Sequence, residues 1–405
     1  MTARALAWRT IRQYPMRALL AVAGVAFIGA LLFDMLMLSH GLVDSFADLL
    51  DHAGYDVRVM AGEGLSLTRT RVVDATRLAA SIAKLPQVRA VSVLRIERAV
   101  LPSANGRADR DVTLLGSDAG GSHSGWILTA GADLPAAGQG VRGGRDGRDG
   151  RDRRDGQEAN CPLVVSRRLA TSHGVAIGST LRIRPTPHGA AAMPAVSCPV
   201  IGVADFLFSA VDEDNVATTL DGVRAITGDA SDEADFIFVS SAEGTSASDT
   251  VRAIPPLRAD VHAYSNEDVL ALFNRNSFAY FRQISFVLTS LTLVFAFLLV
   301  STLLTVATNQ RLGEIAALRA LGISRRSVSA MLLWESALLV VCGALAALPL
   351  GGVVAVWLDR ILRQMPGVPE RLHFFVFEPR AVAWHLALLA LTGGVAAAYP
   401  VWLAA

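Results

Sequence analysis

Four separate stretches of this chain are long and apolar enough to cross a bilayer, and no other feature limits its fold so tightly. A spanning helix needs about 20 apolar residues, because the hydrocarbon layer is about 30 Å thick and each helical residue rises 1.5 Å. The stretches run over 18–41, 283–308, 331–358 and 381–403, and the second carries no charged residue. The whole chain is 52% hydrophobic and only 18% charged, whereas a soluble domain carries about 25% charged residues. The excess apolar content sits in those four stretches, and residues 42–282 read like an ordinary soluble domain. The expected fold is therefore a membrane protein: four transmembrane α-helices with a large α+β extracytoplasmic domain between the first and second helices.

Arginine placement orients the spans. Arg4, Arg9, Arg12 and Arg17 precede the first span with no acid among them, which keeps residues 1–17 in the cytoplasm. Arg311, Arg319, Arg325 and Arg326 crowd the 309–330 loop against the single acid Glu314, so that loop is expected inside as well. The 359–380 loop mixes Asp359, Arg360, Arg363, Glu370, Arg371, Glu378 and Arg380, has no bias, and takes the outer side with the large domain. Both termini are then cytoplasmic. The first apolar stretch is too long for a cleaved signal peptide and lacks a clear small-x-small site, so it is read as a retained span.

Alternation of apolar residues predicts strands at 56–61, 90–101, 111–116, 181–184, 196–203 and 235–240, and helical spacing predicts helices at 74–85, 166–173 and 221–227, with Asp74 as an N-cap. Leu42, Phe46, Leu49 and Leu50 continue the first span at helical spacing, and Val269, Leu270, Phe273, Phe278 and Phe281 precede the second similarly. These are expected to be amphipathic stalks joining the domain to the membrane. Residues 136–160 include RGGRDGRDGRDRRDG at 142–156, a run with no apolar residue that has nothing to bury and is read as a disordered loop. Cys161 and Cys198 are able to pair if this domain meets an oxidising compartment; two unrelated buried thiols are the alternative. Cys342 lies in an apolar run and reads as a small hydrophobe.

The most specific segment is QRLGEIAALRALGISRRSVSAMLLWE, residues 310–335. Leu312, Ile315, Ala316 and Leu321 mark one helical face, Gly322 is placed to end the helix in a left-handed C′ conformation, and Ser324 is placed to cap the next one. This pattern resembles that of the FtsX-like permease family, including the MacB-like exporters, through Arg311, Glu314, Ile315, Leu318, Arg319, Leu321, Gly322 and Glu335. The start LAWRTIRQYPMRALLAVAGVAFIG and the stretch VVSRRLATSHGVAIGSTLRIR at 164–184 also resemble that family, so the likeness spans nearly the whole chain, with 283–405 as its permease domain. Family members usually carry a short basic tail after the fourth helix, and Pro400–Ala405 does not resemble one.

The resemblance implies an inner-membrane permease subunit of an ABC transporter. It would act as a homodimer or with a related second permease copy. It would couple ATP hydrolysis on a separate ATPase dimer to movement of the extracytoplasmic domain, exporting or extracting a hydrophobic or amphipathic molecule. Arg311–Gly322 would be the coupling helix seated against the ATPase; a helix lying in the membrane interface is the plain alternative. ATP and magnesium would belong to the partner, and no cofactor is expected here. Membrane lipids and a periplasmic adaptor are further implied partners. Some relatives instead relay movement to an extracytoplasmic hydrolase or a sensor kinase, which is the competing reading; a membrane-anchored binding domain is a third.

Several chemistries are set aside on residue grounds. A phosphate-binding loop needs Lys followed by Ser or Thr, and Lys84, the sole lysine, is followed by Leu85. The eight histidines have no zinc spacing, so no metal site is expected, and GSHSG at 121–125 has histidine where a nucleophile elbow has serine. A net charge of +1 gives no reason to expect a nucleic-acid partner. Asp34 lies within the first span, about 25 Å beyond Ala18. It is read either as a hydrated residue at the outer interface or as a polar contact for substrate at a lateral opening. Glycines in the first and third spans are read as sites of close helix approach.

Overall fold

The computed structural model describes residues 8–9, 12–62, 70–102, 109–118, 125–135, 161–186, 193–210, 212–276, 278–310, 312–322, 324–365, 369 and 371–404. The predicted loop 136–160 lies outside the described residues. The chain divides into two compact units: a helical unit of residues 1–45, 274–362 and 373–405, and a second unit of residues 46–273 and 363–372.

Four long helices build the helical unit: α1 (Pro15–His52), α7 (Phe278–Asn309), α9 (Arg325–Leu362) and α10 (Pro379–Ala404). Each contains a stretch long and apolar enough to span a membrane. α1 packs against the other three. Val25 shares a buried cluster with Val300, Val340, Ala396 and Ala397, and Leu32 shares another with Ala344 and Leu389. The approach is close because small residues face it. A Cβ on Gly343 would lie 2.5 Å from a Val25 methyl, so nothing larger than glycine fits there without movement. After α9 the chain returns along the end of α1: the His373 amide donates to Ser45 Oγ at 2.8 Å, and the Phe374 amide donates to Asp359 Oδ1 at 2.8 Å.

The second unit is a ten-stranded mixed sheet in the order β12-β1-β11-β3-β4-β9-β6-β8-β5, with β7 pairing both β3 and β8. Its strands are β1 (Val57–Met60), β3 (Val88–Leu101), β4 (Arg110–Ser117), β5 (Trp126–Gly131), β6 (Leu163–Ser166), β7 (Thr180–Pro185), β8 (Val196–Phe206), β9 (Asn215–Thr219), β11 (Phe236–Ser241) and β12 (His262–Ser265). A separate ribbon pairs β2 (Val72–Val73) with β10 (Glu233–Ala234). Helices α2 (Ala75–Ile82), α3 (Arg167–His173), α4 (Leu220–Thr227), α5 (Ala247–Ala253) and α6 (Asn266–Asn276) pack around the sheets.

Two cores form. One gathers Val57, Val59, Leu78, Ile82, Val93, Ile237 and Val239; the other gathers Ala99, Leu114, Leu163, Leu169, Ile183 and Val200. The 14-residue β3 runs through both. Cys161 and Cys198 form a disulfide within the second core, with Cα atoms 5.2 Å apart.

Two local readings change. Asp74 stands at the N-cap of α2 as read, but it is left-handed (φ 51°) and its side chain makes no cap bond. Asp232, brought in by the fold, caps α2 instead: its carbonyl accepts from the Ala75 amide at 3.0 Å and its carboxylate from the Thr76 amide at 3.2 Å. The segment before the second span is divided into α6 and α7, with residue 277 outside the described residues, so one unbroken stalk is not described there. On the first-span side the helix does continue, as α1, to His52. Residues 363–372 belong with the second unit. Ala210 bridges Pro369, and Arg371 reaches Asp205 at 3.4 Å, the same carboxylate that holds Arg167.

Candidate coupling helix and membrane carboxylate

Between α7 and α9 stands a short helix, α8 (Leu312–Ala320). It ends where the sequence places its breaker: the Leu321 amide donates to Ala317 O at 3.1 Å, the Gly322 amide to Arg319 O at 2.9 Å, and Gly322 takes φ +87°. Only glycine adopts that backbone without strain. Ser324 then accepts from the Ser327 amide at 3.4 Å and opens α9.

Among the predicted coupling residues, Arg319, Leu321 and Gly322 are exposed together at the C-terminal end of α8, and Leu321 is 81% exposed. Glu314, Ile315 and Leu318 lie on the same helix, and Arg311 lies outside the described residues. A leucine this open, beside exposed Ala316 and Ala317 and a cation, presents an apolar tip with a basic flank. Arg319 also sits where the partial negative charge of the helix end favours a cation.

Asp34 is not the hydrated interface residue of the first alternative. It is 1% exposed, and neither carboxylate oxygen has a hydrogen-bond partner. It follows Phe27 and Leu31 at helical spacing, and both are exposed, so one stripe of α1 is open for two turns and then covered at the acid. A second ionisable group, His385 on α10, is also fully buried in this unit: its ring lies 5.4 Å from Phe33 and its Nδ1 has no partner. Sequence reasoning passed over His385 as one of eight scattered histidines. Its place inside an apolar span was the signal, because ionisable residues there are costly.

The second unit treats charge differently. Arg95 is buried and donates to Glu97 at 2.9 and 3.0 Å, to Ser231 O at 3.1 Å and to Asp229. The Ser231 amide, then Arg95, hold the Asp229 carboxyl down to about 2. Arg71 pairs with Glu97 at 2.8 Å. These groups line a polar cavity of about 380 Å³ with Arg98, Thr227 and Glu233. No group of three or more metal-ligating side chains occurs among the described residues.

Four membrane-length helices, with a large α/β domain between the first and second, define the architecture of a multi-pass membrane protein. Residues 18–257 match the MacB-like periplasmic core domain and residues 286–405 the FtsX-like permease C-terminal. The chain belongs to this MacB-like, FtsX-like permease family, as the resemblance read from its loop motif implied. Among solved structures it is similar to the periplasmic region of MacB from Actinobacillus actinomycetemcomitans, with 14% identity, TM-score 0.38, and 57% of this chain and 99% of that one covered. It is also similar to the extracellular domain of the noncanonic ABC-type transporter YknZ from Gram-positive bacteria, with 11% identity, TM-score 0.34, and coverage of 52% and 98%. A domain of a putative permease protein from Porphyromonas gingivalis gives 15% identity, TM-score 0.30, and coverage of 53% and 90%. No curated protein matches this chain.

Proposed function

We propose that this chain is the permease subunit of an ABC transporter. It takes ATP-driven motion from a separate ATPase dimer and passes it to its outer domain, so as to export or extract a hydrophobic or amphipathic substrate. The observation that carries this reading is α8: a short helix between two membrane-length helices, ended by left-handed Gly322 and tipped by exposed Leu321. A helix that inserts into a groove on another protein needs an apolar anchor at its tip and a charge beside it, and Leu321 with Arg319 supplies both.

The permease works as a dimer with a second copy or a close relative. It lies in the inner membrane with both termini and α8 on the cytoplasmic side. The grouping of residues 363–372 with the second unit supports that orientation, because a loop between the third and fourth spans that shares the large domain's unit is expected on the large domain's side. Motion reaches the outer unit through α1, which is one helix from Pro15 to His52. Asp34 meets polar groups of the substrate or of the second permease copy at a lateral opening, which supplies the partner its buried carboxylate lacks. A periplasmic adaptor would receive the substrate.

The test is co-purification with the ATPase encoded beside this chain. A variant with residues 311–322 scrambled is expected to insert normally and to lose the ATPase. Retained binding would overturn the assignment of α8. In the assembled complex, Asp34→Asn is expected to lower substrate-stimulated ATP hydrolysis several-fold without loss of assembly; unchanged stimulation would remove Asp34 from the substrate path. Recovery of a hydrolase or sensor kinase in place of an adaptor would turn the reading towards mechanical relay.

A further inference from the structure

Two arginines are buried among the described residues of the outer unit, and they are treated in opposite ways. Arg95 faces two carboxylates. Arg58, 8% exposed, faces aromatic rings: its guanidinium carbon lies 5.4 Å from the Tyr55 ring centre, 5.7 Å from Phe208 and 5.8 Å from Phe238. Its Nε and one terminal nitrogen are inaccessible and have no hydrogen-bond partner. A guanidinium stays charged under protein conditions and carries five donors in a fork that matches a carboxylate or phosphate. The rings offset part of the lost hydration and the Tyr55 hydroxyl is a hydrogen-bond partner of the guanidinium, but Nε and one terminal nitrogen are left without an acceptor.

The surroundings are built around this residue. Arg58 sits at the middle of three strands, opposite Phe238 on β11 and Tyr264 on β12. Its neighbours Val57 and Val59 point into the core on the other face of the sheet. On the face of Tyr55 and Phe238, Leu49 and Ala53 from the end of α1, with Leu207, complete an apolar cluster. Phe208 is the open member of the aromatic set, 38% exposed against 4% for Tyr55 and 7% for Phe238.

We infer that Arg58 and its aromatic set form a binding site for the anionic headgroup of an amphiphile, a phosphate or carboxylate on an apolar body, which docks its charge on the free guanidinium edge and its apolar part against Phe208 and Leu207. This deepens the amphipathic-substrate part of the function proposed above, and rests on it.

Full-length protein in dodecyl maltoside is titrated by calorimetry with dodecyl phosphate, dodecanoate, inorganic phosphate and dodecyltrimethylammonium. Saturable binding of the two anionic amphiphiles is expected, at least tenfold weaker in Arg58→Gln and at least threefold weaker in Phe208→Ala, a surface truncation that keeps the fold. The ammonium compound should not bind. Inorganic phosphate binding as tightly as dodecyl phosphate would make the ligand a free anion and overturn the amphiphile. Equal binding by wild type and Arg58→Gln, or none by either, would overturn the site. Arg58→Met separates ligand binding from support: it should melt no lower than wild type while losing the ligand, because an unpaired buried charge is replaced by an apolar side chain. A large drop in melting temperature would make Arg58 a strut of the fold instead. None of these outcomes touches ATPase co-purification, so failure of this site is distinguishable from failure of the permease reading.

Discussion

The helical unit and the outer unit solve the same burial problem with different means. In the helical unit the helices meet through glycine and alanine, side chains interlock at van der Waals distance, and two of the three ionisable groups buried among its described residues, Asp34 and His385, have polar atoms without partners. In the outer unit a disulfide and a shared set of ion pairs around Arg71, Arg95, Glu97 and Asp229 supplement apolar packing. A bilayer offers no hydrophobic drive between helices, so close fit has to hold them together. Water offers that drive outside, and there directional bonds and a crosslink select the arrangement. A polar group left unpaired inside the membrane stands out against the first scheme; an unpaired arginine stands out against the second.

Three perturbations test that contrast, each read by hydrogen exchange on peptides from both units of the full-length protein. The largest effect is expected from replacing Cys161 and Cys198 with alanine. The bond closes a loop with a sequence separation of 37, and a loop of that size is worth about 4 kcal/mol by the chain-entropy estimate. Protection should fall around β6, β7 and β8 and hold in the helical unit; equal loss in both would break the distinction. Next, Gly343→Ala forces a methyl into the space held by Val25, an overpacking cost of about 1–3 kcal/mol. Here protection should fall in α1 and α9 and hold in the outer unit.

The smallest effect is expected from acid. Asp229 is held down to about 2 from its ordinary 3.8. The stability that its bonds to Ser231 and Arg95 supply is therefore fully present above about pH 4 and is lost as pH falls through 2. Protection around Ser231 and β3 should decline over that window in the wild type and be independent of pH there in Asp229→Asn.

The elements that were legible in the sequence are those whose pattern is local. The four spans announce themselves by length. The strands at β3, β4, β8 and β11 alternate clearly enough to be found. β6 was missed because all four of its residues are buried, so period-two alternation is absent, and β9 is covered in the same way. Asp74 holds the N-cap position and has the right chemistry, but Asp232, 158 positions away, supplies the cap bond. The loop motif gave α8 and its glycine end. Asp34 was visible as an acid in a span, yet its burial depends on neighbours no single helix reveals. Arg58 escaped notice because Val-Arg-Val reads as inside, outside, inside; that outside is covered by the end of α1 and by Leu207.

One strand has a mechanical consequence. Val93 belongs to one core of the outer unit and Ala99 to the other, and both lie on β3 with no break between them. The two cores therefore share a beam. Twisting one end of it must reset the hydrogen-bond register at β11 or at β4, or else carry the far core round with it. The two largest clusters of the domain are joined by this backbone, and a displacement delivered at β1 would be passed through β11 and along β3 towards the disulfide.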